Sequence, residues 1–240
     1  MSLRVYCLSM PSAVTRKKEL INRFQPYRLN FDFISPPIIN SIFAEILIEN
    51  PELSCAAGHL KIYKKFLEST EEHAIIFEDD VIPSDCFHFD YLTDICNLVG
   101  QCHNPTIAFL GGQEGLKSRF YITYQKTRKQ NASAVRKTFK SAEFIKRTCC
   151  YIVNREAAQI ILNRNLKLNF VADEWVNLAK GFDLYMARPI QVLHPVDLQN
   201  SDIQEFRDKM VNSLSFCSRV LGVMKRILQK IWREIETIFL

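Results

Sequence analysis

An apolar run, Ala74-Ile75-Ile76-Phe77, leads straight into three consecutive acids, Glu78, Asp79 and Asp80. Its β-branched and aromatic side chains are those of a buried strand. Such a strand does not normally end in three adjacent carboxylates. Neighbouring carboxylates repel one another, and burial raises their pKa values further. A hard divalent cation, Mg²⁺ or Mn²⁺, removes the conflict because it prefers carboxylate oxygens. The alternative is an acidic exit from the strand that is solvated and idle.

The pattern around this run alternates. Strands are expected at Arg4 to Leu8, Phe31 to Ile34, Ala74 to Phe77, Thr106 to Leu110, Phe120 to Tyr124, Cys149 to Val153, Asp183 to Ala187 and Ile190 to Leu193. Helices are expected at Thr15 to Phe24, Pro51 to Leu67, Arg155 to Asn163 and Asp173 to Lys180, the last with Asp173 as its N-cap. Strands alternating with helices imply an α/β protein with a mostly parallel sheet and helices on both faces. Ligands of such sheets bind beyond the carboxyl ends of the strands, where the acid triplet falls.

A chain of 240 residues with 48% apolar side chains is long enough for a sizeable core. The net charge of +5 is unevenly placed. Lys117 to Arg147 holds ten basic residues and one acid, Glu143. Apart from its strand, this segment is expected to be a mobile loop that attracts a phosphorylated partner or closes as a lid. Its aromatic residues Phe120, Tyr121 and Tyr124 also suit nucleic acid, but no nucleic-acid motif accompanies them, and no such partner is expected. The eight cysteines form no Cys-x-x-Cys pair, and no export signal is read at the start. Reduced thiols in a cytoplasm are the expectation. From about Glu205 to Leu240, apolar residues recur at helical spacing, with five basic residues and no acids between Arg219 and Arg233. This is a basic amphipathic helix suited to an anionic membrane surface, the alternatives being a helix packed on the body of the domain or paired with a second copy as a homodimer. The division expected is a catalytic domain at 1–204 and a helical tail at 205–240.

Glu52-Leu53-Ser54-Cys55-Ala56-Ala57-Gly58-His59, followed by Ile75-Ile76-Phe77-Glu78-Asp79-Asp80, resembles the family 25 glycosyltransferases. These are lipopolysaccharide-core galactosyltransferases and their collagen-modifying relatives. Their pattern is Glu-x-Gly-Cys-x-x-Ser-His on a helix, then a strand ending in Glu-Asp-Asp. Glu52, Cys55 and His59 fit, while Ser54 stands for Gly and Gly58 for Ser. Leu8-Ser9-Met10 through Arg16, Tyr151 through Ala158 with the following Asp173, and Ser201-Asp202-Ile203 agree in order. Ser9 replaces the usual Asn. The resemblance covers roughly residues 4 to 203.

The resemblance implies a GT-A-like, Rossmann-type fold and an inverting transfer of a hexose. The expected donor is UDP-galactose and the acceptor a lipid-linked lipopolysaccharide or lipooligosaccharide core, at the cytoplasmic face of the inner membrane. Mn²⁺ or Mg²⁺ bridging the donor phosphates is expected on Asp80, with Glu78 as its companion ligand. Asp79, Glu78, Arg16 and His59 are candidates for donor binding. Asp173, by its match to the family's late aspartate, is the candidate base for the acceptor hydroxyl. Glu174, Asp183 and Asp197 are the reserves. Lys126, Arg128 and Lys129 are the candidate acceptor contacts. A catalytically silent binding or scaffold relative and a metal-dependent phosphohydrolase stand as alternatives.

Overall fold

A computed structural model describes residues 3–36, 50–125, 135–139 and 142–195. The expected C-terminal helix and the candidate residues Lys126, Arg128 and Lys129 lie outside the described residues. In chain order the elements are β1 (Leu3–Leu8), α1 (Val14–Phe24), β2 (Leu29–Ile34), α2 (Pro51–Leu67), β3 (His73–Glu78), β4 (Ile82–Pro83), α3 (Phe89–Gln101), β5 (Thr106–Phe109), β6 (Thr123–Tyr124), β7 (Val135–Phe139), β8 (Cys150–Asn154), α4 (Arg155–Asn165), α5 (Trp175–Leu178), β9 (Asp183–Ala187) and β10 (Val192–Leu193).

Eight strands form one sheet in the order β2-β1-β3-β8-β5-β9-β7-β6, and β10 pairs with β4 in a small second sheet. Pairings β1–β2, β1–β3 and β5–β9 are parallel, whereas β8 and β7 each run against both neighbours. Only these two strands oppose the rest, so the sheet is mixed but mostly parallel, in an α/β architecture.

Strand alternation explains how two cores form. Tyr6, Leu8, Ala74 and Ile76 pack on one face with Ile62, Tyr63 and Phe66 of α2, Ala157, Ala158 and Ile161 of α4, and Trp175. Val5, Cys7, Ile75 and Phe77 pack on the other face with Leu20 and Phe24 of α1 and Leu92, Ile95 and Val99 of α3. Each fully buried large side chain contributes about 1.5–3 kcal/mol. Helix α2 starts as the sequence demands: the Asn50 side chain accepts from the backbone N–H groups of Glu52 (3.1 Å) and Leu53 (3.2 Å), with Pro51 at the first turn.

Several expectations are corrected. Helix α3 was not anticipated. Phe120 to Tyr124 is not one strand: Lys117–Tyr121 is a 3-10 turn and only Thr123–Tyr124 pairs. Phe120 and Tyr121 are exposed, so their apolar character does not mark a buried strand. Within the basic segment, Val135–Phe139 is not loop but a strand against β9. There Lys137 Nζ meets Asp183 Oδ1 at 2.5 Å, which offsets the charge of the strand. Asp173 does not cap a helix: α5 begins at Trp175, with Glu174 in the cap position.

Asn154 ties the far end of the sheet together. Its Oδ1 accepts from the N–H groups of Thr106 and Ala157 (3.0 Å each), and its Nδ2 donates to the carbonyls of Cys102 (3.1 Å) and Asn104 (2.8 Å). Gly111, just past β5, is in bridge contact with Val192 of β10. A Cβ on Gly111 would lie 1.9 Å from the Val192 carbonyl oxygen. Among the described residues, no helix is long and apolar enough to cross a membrane.

Two outcomes follow for urea denaturation. Asn154→Ala removes a helix cap and leaves buried N–H and C=O groups unpaired, and is expected to cost about 2–4 kcal/mol with an unchanged m value. Gly111→Ala forces two backbones apart and is expected to cost about 1–3 kcal/mol; an unchanged midpoint would show that β10 yields freely.

Candidate functional site

The site is built by strand register. Leu8 at the end of β1 pairs with Glu78 at the end of the parallel β3, so their carboxyl ends coincide. Because β8 runs the opposite way, its start lies at the same end, and the Glu78 N–H donates to the Cys149 carbonyl at 2.8 Å. The small sheet completes the group. Leu193 pairs with Ile82, two residues after Asp80, so that His194 Nε2 stands 3.2 Å from Asp80 Oδ2.

The three acids do not share one fate. Asp79 is buried, its Oδ2 accepting from Ser9 Oγ at 2.5 Å and its Oδ1 lying 3.3 Å from Arg16 Nε. Burial raises its pKa against the opposing effects of Ser9 and Arg16. Glu78 Oε1 accepts from Thr148 Oγ1 at 2.5 Å and lies 3.6 Å from His59 Nε2. Asp80 faces His194. Burial pushes its pKa up, but the His194 hydrogen bond and charge outweigh this and hold the carboxyl below its usual value. Burial lowers His194 in turn, and Asp80 more than compensates, so the imidazole pKa is raised.

One ligand atom each from Glu78, Asp80 and His194 lies within 4.8 Å of the others. Asp80 Oδ1 is buried without a hydrogen-bond partner. Two carboxylates and an imidazole, with an orphaned oxygen among them, fit a divalent cation. Asp79, committed to Ser9 and Arg16, is not part of this group. His194 was not among the sequence candidates. Its signal was slight: a histidine directly after a short strand, more than a hundred residues from the acids.

His59 is buried on α2, and its Nδ1 lies 2.9 Å from the Tyr151 hydroxyl, which is 2.6 Å from that of Tyr63. Cys55, one turn earlier, joins His59 and Glu78 in a second group whose ligand atoms lie within 4.8 Å. Burial and the charges of Glu78 and Asp173 push the Cys55 thiol pKa well up. At Gly58, where the family pattern has Ser, a Cβ would stand 2.4 Å from Leu8 Cδ1, so a larger residue requires the Leu8 side chain to shift. Ser9, where the family has Asn, remains a donor to Asp79.

Asp173 Oδ2 accepts from the Arg147 N–H at 3.3 Å, and Trp175 Nε1 donates to the Arg147 carbonyl at 3.1 Å. Arg147 Nη1 donates in turn to the carbonyls of Gly112 (2.9 Å) and Glu114 (3.1 Å). Arg147 thus spans the loop after β5 and the approach to β8, next to the acids.

Among solved structures, a glycosyltransferase involved in the glycosylation of the major capsid of PBCV-1 is similar over 88% of this chain and 98% of its own, at 9% identity and a TM-score of 0.42. The galactosyltransferase LgtC, solved with donor and acceptor sugar analogs, is similar over 86% of this chain and 94% of its own, at 9% identity and a TM-score of 0.44. No curated protein matches the sequence. The family model described as glycosyltransferase family 25 (LPS biosynthesis protein) matches residues 2–176, most of the described domain and all three acids, and the chain therefore belongs to glycosyltransferase family 25.

Proposed function

We propose that this glycosyltransferase is an inverting, metal-dependent hexosyltransferase that moves galactose from UDP-galactose to a lipopolysaccharide or lipooligosaccharide core. The observation that carries the reading is the convergence of Glu78, Asp80 and His194 at the carboxyl end of the sheet, with Asp80 Oδ1 left unpartnered.

In this reading Asp80, Glu78 and His194 hold Mn²⁺ or Mg²⁺. When bound, the cation neutralises the charge that develops on the diphosphate leaving group. Asp79 orients Arg16, whose guanidinium meets the donor phosphates. His59 acts at the donor site through Glu78, since it is buried and aligned by Tyr151. Asp173 takes the proton from the acceptor hydroxyl as its oxygen bonds to the anomeric carbon and the bond from that carbon to the diphosphate oxygen breaks. The Arg147 N–H fixes the Asp173 carboxylate for that role.

The acceptor is proposed to be anionic. Lys117 and Arg119 precede the exposed rings of Phe120 and Tyr121 on one turn, with the Arg119 guanidinium over the Phe120 ring, an arrangement that suits a phosphorylated saccharide. Lys126, Arg128 and Lys129 are proposed to extend this surface. The basic tail from residue 205 is proposed to hold the enzyme at the cytoplasmic face of the inner membrane.

Calorimetry with UDP and Mn²⁺ tests the cation site. Asp80→Ala is expected to weaken Mn²⁺-dependent UDP binding by about 100-fold or more, since loss even of a group that only orients a metal ligand costs about 10–100-fold. Equal affinity in the variant would refute the assignment. The base is tested separately with UDP-galactose and a lipooligosaccharide acceptor. Asp173→Asn is expected to lower kcat by roughly 10²–10⁴ while donor affinity is retained; a kcat within a few-fold of the parent would move the role to another carboxylate.

A further inference from the structure

We infer that Cys55, His59 and Glu78 form a second cation site, one that selects a borderline-soft ion such as Zn²⁺ over Mn²⁺ or Mg²⁺. Cys55 and His59 are four residues apart on α2 and therefore share one face of the helix. That face meets the end of β3, where Glu78 supplies the third group. The ligand atoms, a sulfur, an imidazole nitrogen and a carboxylate oxygen, lie within 4.8 Å of one another. In a tetrahedral zinc site, bonds of about 2.0–2.3 Å place ligand atoms roughly 3.3–3.8 Å apart. A closure of about 1 Å is thus all the group requires.

His59 supplies the independent observation. The residue is only 2% exposed, and Nδ1 is engaged by the Tyr151 hydroxyl. Nε2 is buried and has no hydrogen-bond partner; Glu78 Oε1 at 3.6 Å is beyond hydrogen-bond reach. An imidazole oriented through one nitrogen by a second group, with the other nitrogen buried and 3.6 Å from a carboxylate, is how a metal-binding histidine is held. The donor set decides the ion. Thiolate and imidazole favour zinc, whereas the neighbouring Glu78, Asp80 and His194 group offers two carboxylates and suits harder ions. Binding replaces the thiol proton of Cys55, which passes to solvent. Glu78 is common to both groups, so zinc in this site competes with the cation of the neighbouring one for that carboxylate.

The test is X-ray absorption at the zinc edge on the full-length protein loaded with one equivalent of Zn²⁺. One sulfur neighbour at about 2.3 Å, with nitrogen and oxygen completing the shell, is expected. A shell of nitrogen and oxygen alone overturns the proposal, and this readout needs no variant. Cys55→Ser is expected to remove the sulfur signal and raise the zinc Kd by about ten-fold or more, with circular dichroism reporting that the chain is folded. Persistence of the sulfur signal in Cys55→Ser would assign it to another cysteine and also overturn the site. The hard-cation reading fails independently, through Mn²⁺-dependent UDP binding in Asp80→Ala, a variant whose zinc–sulfur signal is expected to persist.

Discussion

The strand β3 ends at Glu78, and the chain turns through Asp79 and Asp80, so the three acids point to different surroundings. Glu78 and Asp80 converge, and Asp79 turns back toward Ser9 and Arg16. Each acid is met by a different part of the fold: Thr148 and His59 for Glu78, the segment after β1 for Asp79, and His194 for Asp80. The repulsion expected of three adjacent carboxylates is dispersed in this way, and the separation also sorts their chemistry. The two that converge are suited to a cation. The one between them, with its pKa raised by burial, engages Ser9 and Arg16 instead.

This dispersal rests on topology. Parallel β1 and β3 bring Ser9 to Asp79, and reversed β8 delivers Thr148 and Cys149 to Glu78. The β4–β10 pairing carries His194 across to Asp80. Both hydrophobic cores lie behind these strands and hold them, with α2 placing Cys55 and His59 against the site from one face.

Much of the fold was legible in the chain because the central strands are short apolar runs between polar breaks. Ala74 to Phe77 and Asp183 to Ala187 are of this kind, and Pro51 to Leu67 announces its own start with Asn50 and Pro51. Helix α3 is legible in principle, since Leu92, Ile95, Cys96 and Val99 carry helical spacing. Strand β7 is not, because Val135-Arg136-Lys137 reads as polar until Asp183 is brought to Lys137. Phe120 and Tyr121 misled in the opposite sense, as exposed rings on a turn. At the site, Glu78, Asp79, Asp80 and His59 were visible from local pattern. His194 was not, because its partnership with Asp80 is created by the pairing of two strands that are each two residues long.

The close passage of Gly111 beside Val192 has a bearing on how the site tolerates change. No side chain intervenes between the two backbones, and the Gly112 N–H donates to the Val192 carbonyl at 3.1 Å. The span from the central sheet to His194 is therefore gauged by main chain against main chain. Because Val192 is also a fully buried member of one core, that gauge ties the reach of the imidazole to the packing of the face on which Val192 sits.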